Sequence, residues 1–160
     1  MRIRIGLLAA LMLTIAGMSV GAWGQEAGEI NAGALLEGAM GTRKGISMAG
    51  GIIGGYGVTD NLSIGIKADY GHDFSDLGLL EVLGYGRYYL PLGVEVCRLW
   101  AQMGTGVIVL MEGGKEAVGS VMVDMEIGVR FSVGSFYGEP YIRFGYPVLV
   151  GVGAVFGYRF

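Results

Sequence analysis

Outside its N-terminal stretch the sequence lacks any run of about 18 or more uncharged apolar residues, the length a membrane-crossing helix requires, which disfavours a helical membrane protein. It has a single cysteine, Cys97, so no internal disulfide can form, and no CxxC or Cys/His spacing suggests a metal; Cys97 reads as a small apolar wall residue. Charge is sparse, at 16% of residues, with a net value of −3. There is no basic excess to attract nucleic acid. Histidine occurs once, at position 72, and no phosphate-binding loop is present, because Gly113-Gly-Lys115 lacks the upstream glycine and the following Ser or Thr.

What the chain has in excess is apolar surface and glycine. With 52% hydrophobic residues in 160, it is too apolar for an ordinary soluble domain. Thirty-two glycines would each cost a helix about 1 kcal/mol relative to alanine. A disordered Gly-rich linker is excluded in turn by nine Tyr, six Phe and two Trp. The remaining way to satisfy every backbone N–H and C=O in lipid is a closed barrel, with all bonds between strands.

Met1-Arg-Ile-Arg4 followed by Ile5 to Val20 has the charged start and apolar core of a secretory leader, and Ala22-Trp-Gly24 supplies small residues for cleavage before Gln25. Residues 1–24 are therefore expected to be a signal peptide and 25–160 the mature domain. Loss of Arg2 and Arg4 leaves nine basic against fourteen acidic residues, a net charge of −5.

Through that domain, apolar residues recur with period two and keep charges to one face. Leu62, Ile64, Ile66, Ala68 and Tyr70 alternate with Ser63, Gly65, Lys67 and Asp69. Val121, Val123, Met125, Ile127, Val129 and Phe131 alternate with Met122, Asp124, Glu126, Gly128 and Arg130. Leu99, Ala101 and Met103 likewise oppose Arg98, Trp100 and Gln102, and Val82, Gly84, Gly86 and Tyr88 oppose Glu81, Leu83, Tyr85, Arg87 and Tyr89. A lipocalin-like barrel would put the apolar face inside; here that face is large and uninterrupted, whereas the other mixes charge with glycine, as a narrow lumen would. The expected architecture is all-β, a closed antiparallel up-and-down transmembrane barrel of about eight strands, at 29–37, 46–58, 62–70, 80–90, 97–110, 119–131, 137–146 and 148–160. Tight turns are expected at Thr59-Asp60-Asn61, Pro91-Leu-Gly93 and Ser132-Val-Gly-Ser135, on the periplasmic side. Loops around Gly41–Gly45, Gly71–Asp76 and Glu112–Glu116 would face outside. A final turn is expected through Tyr146-Pro-Val-Leu149, and Pro140 removes a ladder donor from strand seven. Tyr56, Tyr70, Tyr88, Tyr146 and Tyr158 fall near strand ends on the outward face, where their rings suit the headgroup boundary.

At the C-terminus, Val150, Val152, Ala154, Phe156, Tyr158 and Phe160 share one face. With the leader, the alternation and the Tyr-Gly-Val-Thr-Asp-Asn-Leu turn, this resembles the small eight-stranded bacterial outer-membrane barrels of the OmpA membrane-domain, OmpX and OmpW types. The resemblance implies a location in the bacterial cell outer membrane and contact with its lipid. It also implies that Phe156, Tyr158 and Phe160 form a signal read by the barrel-assembly machinery after delivery by periplasmic chaperones. A monomer is expected.

The candidate site is the lumen. Lys67, Arg87, Arg98, Arg130, Arg143 and Arg159 would share it with Asp69, Glu81, Asp124, Glu126, Glu139 and the amide of Gln102. Near-cancelling charge favours a salt-bridged plug over a pore, because unpaired buried charge is expensive and eight strands leave an interior that side chains fill. Small residues at Ser47, Ala49, Gly51, Gly55 and Gly57 would leave a void on one side. His72 with Ser75 departs from the His/Ser spacing of outer-membrane lipid hydrolases and reads as a solvated loop histidine. Asp73, Asp76 and Glu112 are too scattered to define a metal site. No catalytic residue, cofactor or metal is therefore expected. Two functions remain open, a non-enzymatic barrel contributing to envelope integrity or surface interaction, and a narrow porin-like or OmpW-like passive transporter of small or hydrophobic solutes. Mass spectrometry of the exported protein is expected to find an N-terminus at Gln25; an intact Met1 in the membrane-inserted form would refute the leader.

Overall fold

The computed structural model describes residues 27–41, 45–73, 77–90, 97–112 and 117–160, except for the side chain of Glu112. The expected leader, the Pro91–Gly93 turn and most of the 41–45 and 112–116 loops lie outside these residues. Eight strands follow in order: β1 (Ile30–Gly41), β2 (Ile46–Gly57), β3 (Leu62–Asp73), β4 (Leu77–Tyr89), β5 (Cys97–Glu112), β6 (Val118–Val133), β7 (Phe136–Tyr146) and β8 (Val148–Arg159). Each pairs antiparallel with the next, and β8 returns to β1 from Asn31↔Arg159 to Gly41↔Val148, with a bulge at Met40/Gly41. The sheet thus closes and no edge strand is left with unpaired backbone groups.

The alternation survives in three dimensions. Leu36, Ile52, Ile66 and Val121, on four different strands, each expose 64–68% of their surface, and they belong to a belt of exposed large apolar side chains that includes every strand. A soluble monomer rarely exposes a contiguous apolar patch beyond a few hundred Å². A belt around the whole girth needs hydrocarbon as its solvent, so the barrel spans a membrane. Aromatics gather where it meets the headgroups: Tyr158 packs edge-on against Phe136 and Phe160, with ring centroids 5.2 and 5.0 Å apart, and Tyr56 and Tyr88 sit near the same rim.

Six strands, β1 and β3 to β7, run longer than expected. β1 continues to Gly41, β3 to Asp73, and β4 begins at Leu77. Gly71, His72 and Asp73 look like turn residues in sequence, yet they pair with Ala49, Met48 and Ser47. The ladder supplies their backbone bonds, and ladder bonding outweighs local turn preference. His72 is consequently not a loop residue; it lies on the exposed outer face, one residue from an inward Asp73. At Pro147 the boundaries are those expected, with β7 ending at Tyr146 and β8 beginning at Val148, and the Tyr146–Pro147 peptide bond is cis. Between β6 and β7 the register runs to Gly128↔Tyr141 and resumes at Phe131↔Gly138, skipping Pro140, which has no N–H to donate. The β6–β7 turn places Gly134 at φ 60°, a conformation glycine adopts without penalty. No connection between strands exceeds the seven residues 90–96; those at the end opposite the termini run from one to five residues and those beside the termini from two to seven.

The barrel interior is the core. The void expected along β2 survives at Ser47, which lines a cavity at the end opposite the termini, whereas over Gly51 and Gly55 the backbone or an aromatic of a neighbouring strand occupies the space. A Cβ on Gly65 would collide with the Tyr85 ring and with the Gly54 carbonyl, and one on Gly55 would lie 2.8 Å from the Tyr85 hydroxyl. Trp100 covers Gly128, Tyr141 covers Gly153 and Tyr137 covers Gly157 in the same way, while Gly51 is closed by the Ala68–Asp69 backbone. Gly65→Val is expected to destabilise the barrel by about 1–3 kcal/mol in urea unfolding from lipid vesicles. Adding Tyr85→Ala should recover part of that loss, and independent effects of the two changes would show that the ring and the glycine do not share the space.

Candidate functional site: the charged lumen

Each charged residue of the lumen arrives by the same route: a strand parity that turns it away from lipid. Packed inside, these residues form one continuous chain of polar contacts. Near the end opposite the termini, Arg143 is the hub. Its guanidinium reaches Glu37 and Glu81 at 2.7 Å and Asp124 at 3.2 Å. Glu37 also takes Lys67 at 3.0 Å and a hydrogen bond donated by the Tyr141 hydroxyl at 2.7 Å. Lys67 passes the chain to Glu126 at 2.7 Å. Gln102 then joins the two halves: its amide N–H donates to Glu126 at 3.0 Å, and its carbonyl accepts from Arg87 Nε at 2.9 Å.

Toward the termini, Glu139 accepts from both Arg87, at 2.7 Å, and Arg130. Aromatic faces surround these guanidiniums. Arg87 lies 3.9 Å from the ring centroid of Trp100, and Arg130 lies 4.2 Å from that of Tyr137 and 5.0 Å from that of Tyr89. Cation–π contact replaces part of the hydration that each cation gives up. Trp100 is fully buried, and its indole N–H has no acceptor among the described residues, so the site is packed around the ring's volume and face. Arg159 closes this end, bonding to the Gly134 carbonyl and reaching Glu29 at 3.6 Å.

Of the residues singled out from sequence, the structure brings together Lys67, Glu81, Arg87, Gln102, Asp124, Glu126, Arg130, Glu139 and Arg143. Arg159 stands apart with Glu29. Asp69 is 4% exposed and faces its in-register neighbour Glu81, with Oδ2 lacking a hydrogen-bond partner among the described residues. Arg98 is not in the interior network; it is half-buried at the rim, where it donates to the Asp60 carbonyl at 3.1 Å and ties down the β2–β3 turn.

Sequence reasoning missed Glu37, the acid with most partners. Its parity was there to read, since Asn31, Gly33, Leu35 and Glu37 all turn inward, but the surrounding run of Ala, Gly and Leu hardly alternates in hydropathy. The charges are also sorted along the axis. The half away from the termini holds Glu37, Asp69, Glu81, Asp124 and Glu126 against Lys67 and Arg143, while the other half sets Arg87 and Arg130 against Glu139. Near-cancellation in composition thus conceals an acidic end and a basic end.

The other sequence candidates are dispersed. His72 lies outward between Met48 and Gly78 in register, neither of which can relay a proton, and Ser75 lies outside the described residues. Asp73 points into the mouth, where it accepts from the Leu77 N–H at 2.9 Å; Asp76 lies outside the described residues. Among the described residues no group of three or more His, Cys, Asp or Glu is placed to hold a metal ion.

Solved structures similar to this chain are eight-stranded outer-membrane barrels. The N-terminal barrel domain of Pseudomonas aeruginosa OprF matches with a TM-score of 0.67 at 15% identity, over 85% of this chain and all of that one. Neisserial surface protein A matches with a TM-score of 0.65 at 13% identity, over 84% of this chain and 96% of that one. OprG of P. aeruginosa matches with a TM-score of 0.63 at 11% identity, over 86% and 98%. No protein-family model matches the sequence, and no curated protein does either.

Glu139→Gln leaves Arg87 and Arg130 without their shared counter-charge and is expected to cost about 3–5 kcal/mol in unfolding from lipid vesicles. Arg98→Ala, at the rim, should stay within about 0.5 kcal/mol. Equal losses would show that the interior network carries no special share of stability.

Proposed function

We propose that this barrel, built on the eight-stranded outer-membrane plan, is a non-enzymatic, closed element of the bacterial outer membrane that contributes to envelope integrity. The observation that carries the reading is the unbroken polar chain from Arg143 through Gln102 to Arg130, which fills the lumen over most of its length. An eight-stranded interior is just wide enough for such a filling. Opening a path would separate several ion pairs of nearly zero exposure, each expensive to strand. Short connections on both rims give little surface for an adhesive role. The closed sheet offers no edge for strand addition by a second copy, which supports reading the barrel as a monomer, delivered by periplasmic chaperones and inserted by the barrel-assembly machinery through the Phe156, Tyr158 and Phe160 face.

Passive transport is the competing function, and it is tested directly. In planar bilayers the refolded chain is expected to give no discrete conductance steps, whereas Trp100→Ala combined with Arg87→Ala, which empties the stacked centre, should produce them. Reproducible steps from the unaltered chain, changed by Glu126→Gln, would replace the closed reading with a pore. In cells, loss of the gene is expected to raise sensitivity to detergents, restored by the unaltered chain.

A further inference from the structure

The outer wall of the barrel is not uniformly ridged. Over β1, β2 and β3, beside the rim that holds both termini, it is hollowed into a groove of about 950 Å³. The floor is Ala32 and Ala34 on β1 and Gly54 on β2, with Ala32 and Gly54 opposite each other in register. Ile52, Ile64 and Ile66 project beside it, 53–68% exposed. Beyond β1 stand Phe156 and Tyr158 of β8, in register with Ala34 and Ala32. Ile30 and Tyr56 frame the end at the headgroup boundary.

The barrel's own packing does not account for this hollow. A Cβ on Gly54 would meet only the Asn31 carbonyl, at 3.8 Å, an ordinary contact, and Gly54 is not at positive φ. Gly55 and Gly65, by contrast, turn inward and are closed by Tyr85. Half-buried strand positions favour β-branched and aromatic side chains, so alanine and glycine here leave wall uncovered. The space is filled from outside the chain.

Its position decides what fills it. The groove is continuous with the apolar belt, whose solvent is hydrocarbon. From the Ile30–Tyr56 pair to the Ala34–Ile52 pair it runs about 13 Å, at ~3.3 Å per residue. It therefore stays within one leaflet, which contributes about 15 Å of hydrocarbon. No charged side chain lines it, and Asn31 is buried toward the lumen, so a headgroup finds no partner there. A hydrocarbon chain lying in the groove touches protein beneath and on both flanks, where on the open belt it would touch one side only. Alanine and glycine have no rotamers to lose, so ordering the floor costs no side-chain entropy. A second copy fits less well. Two chains inserted in the same sense meet about an axis along the membrane normal, which sets groove against groove at one height and leaves a void between them.

We propose that this groove holds one acyl chain of a phospholipid from the leaflet on the side of the termini, selected by chain packing and not by headgroup. The proposal rests on the barrel spanning lipid and is independent of whether its lumen conducts.

The test is mass spectrometry of the intact folded chain released from nanodiscs of phosphatidylethanolamine and phosphatidylglycerol. One retained phospholipid per chain is expected, with the two headgroups in the proportion of the bilayer. Gly54→Leu fills the groove and should lower the lipid-bound fraction at least about five-fold. Gly86→Leu is the control: Gly86 faces lipid on β4, outside the groove, and a Cβ there would meet nothing within 4 Å, so the lipid should be retained as in the unaltered chain. The gel-mobility shift on boiling confirms that both variants fold. No retained lipid, an undiminished fraction in Gly54→Leu, an equal loss in Gly86→Leu, retention of one headgroup alone, or a second copy retained in place of lipid would overturn the proposal.

Discussion

The rest of this structure follows from one requirement, that every backbone N–H and C=O within hydrocarbon find its partner inside the protein. The pairing of β8 with β1 meets it by removing both sheet edges. Closure in turn fixes two surfaces of opposite chemistry. Outward positions meet lipid and are apolar on every strand, and inward positions share a space too narrow for bulk water and must fill it themselves.

Filling a narrow lumen imposes its own chemistry. Large rings fit only where the facing strand offers glycine, which explains why Tyr85 lies over Gly65 and Trp100 over Gly128. Charged groups fit only when their neighbours replace lost hydration. Glu139 does this for two arginines at once, with aromatic faces completing their surroundings. Gly65, Gly128, Gly153 and Gly157 are thus the counterparts of inward rings, each leaving a bare patch of wall beneath one.

The axial sorting of charge gives the two ends different character. The half near the termini is basic, aromatic and tightly packed. The other half is acidic, is held mainly by Arg143 and Lys67, and opens into an apolar mouth.

The sequence by itself determined the strand parity, and with it which residues face lipid. That rule is local, because a two-residue period needs no knowledge of the partner strand. It sufficed for Lys67, Glu126 and Arg143. It failed for Glu37, whose Gly- and Ala-rich strand carries little contrast between faces, and for His72, whose turn-like neighbours join the ladder. Only the tertiary structure decided who meets whom. Arg143 and Glu37 bond across 106 positions of sequence, and Lys67 and Glu126 across 59. Those encounters are set by register and closure around the barrel, and the same long-range geometry placed Arg98 on the rim and sorted balanced charges into an acidic end and a basic one.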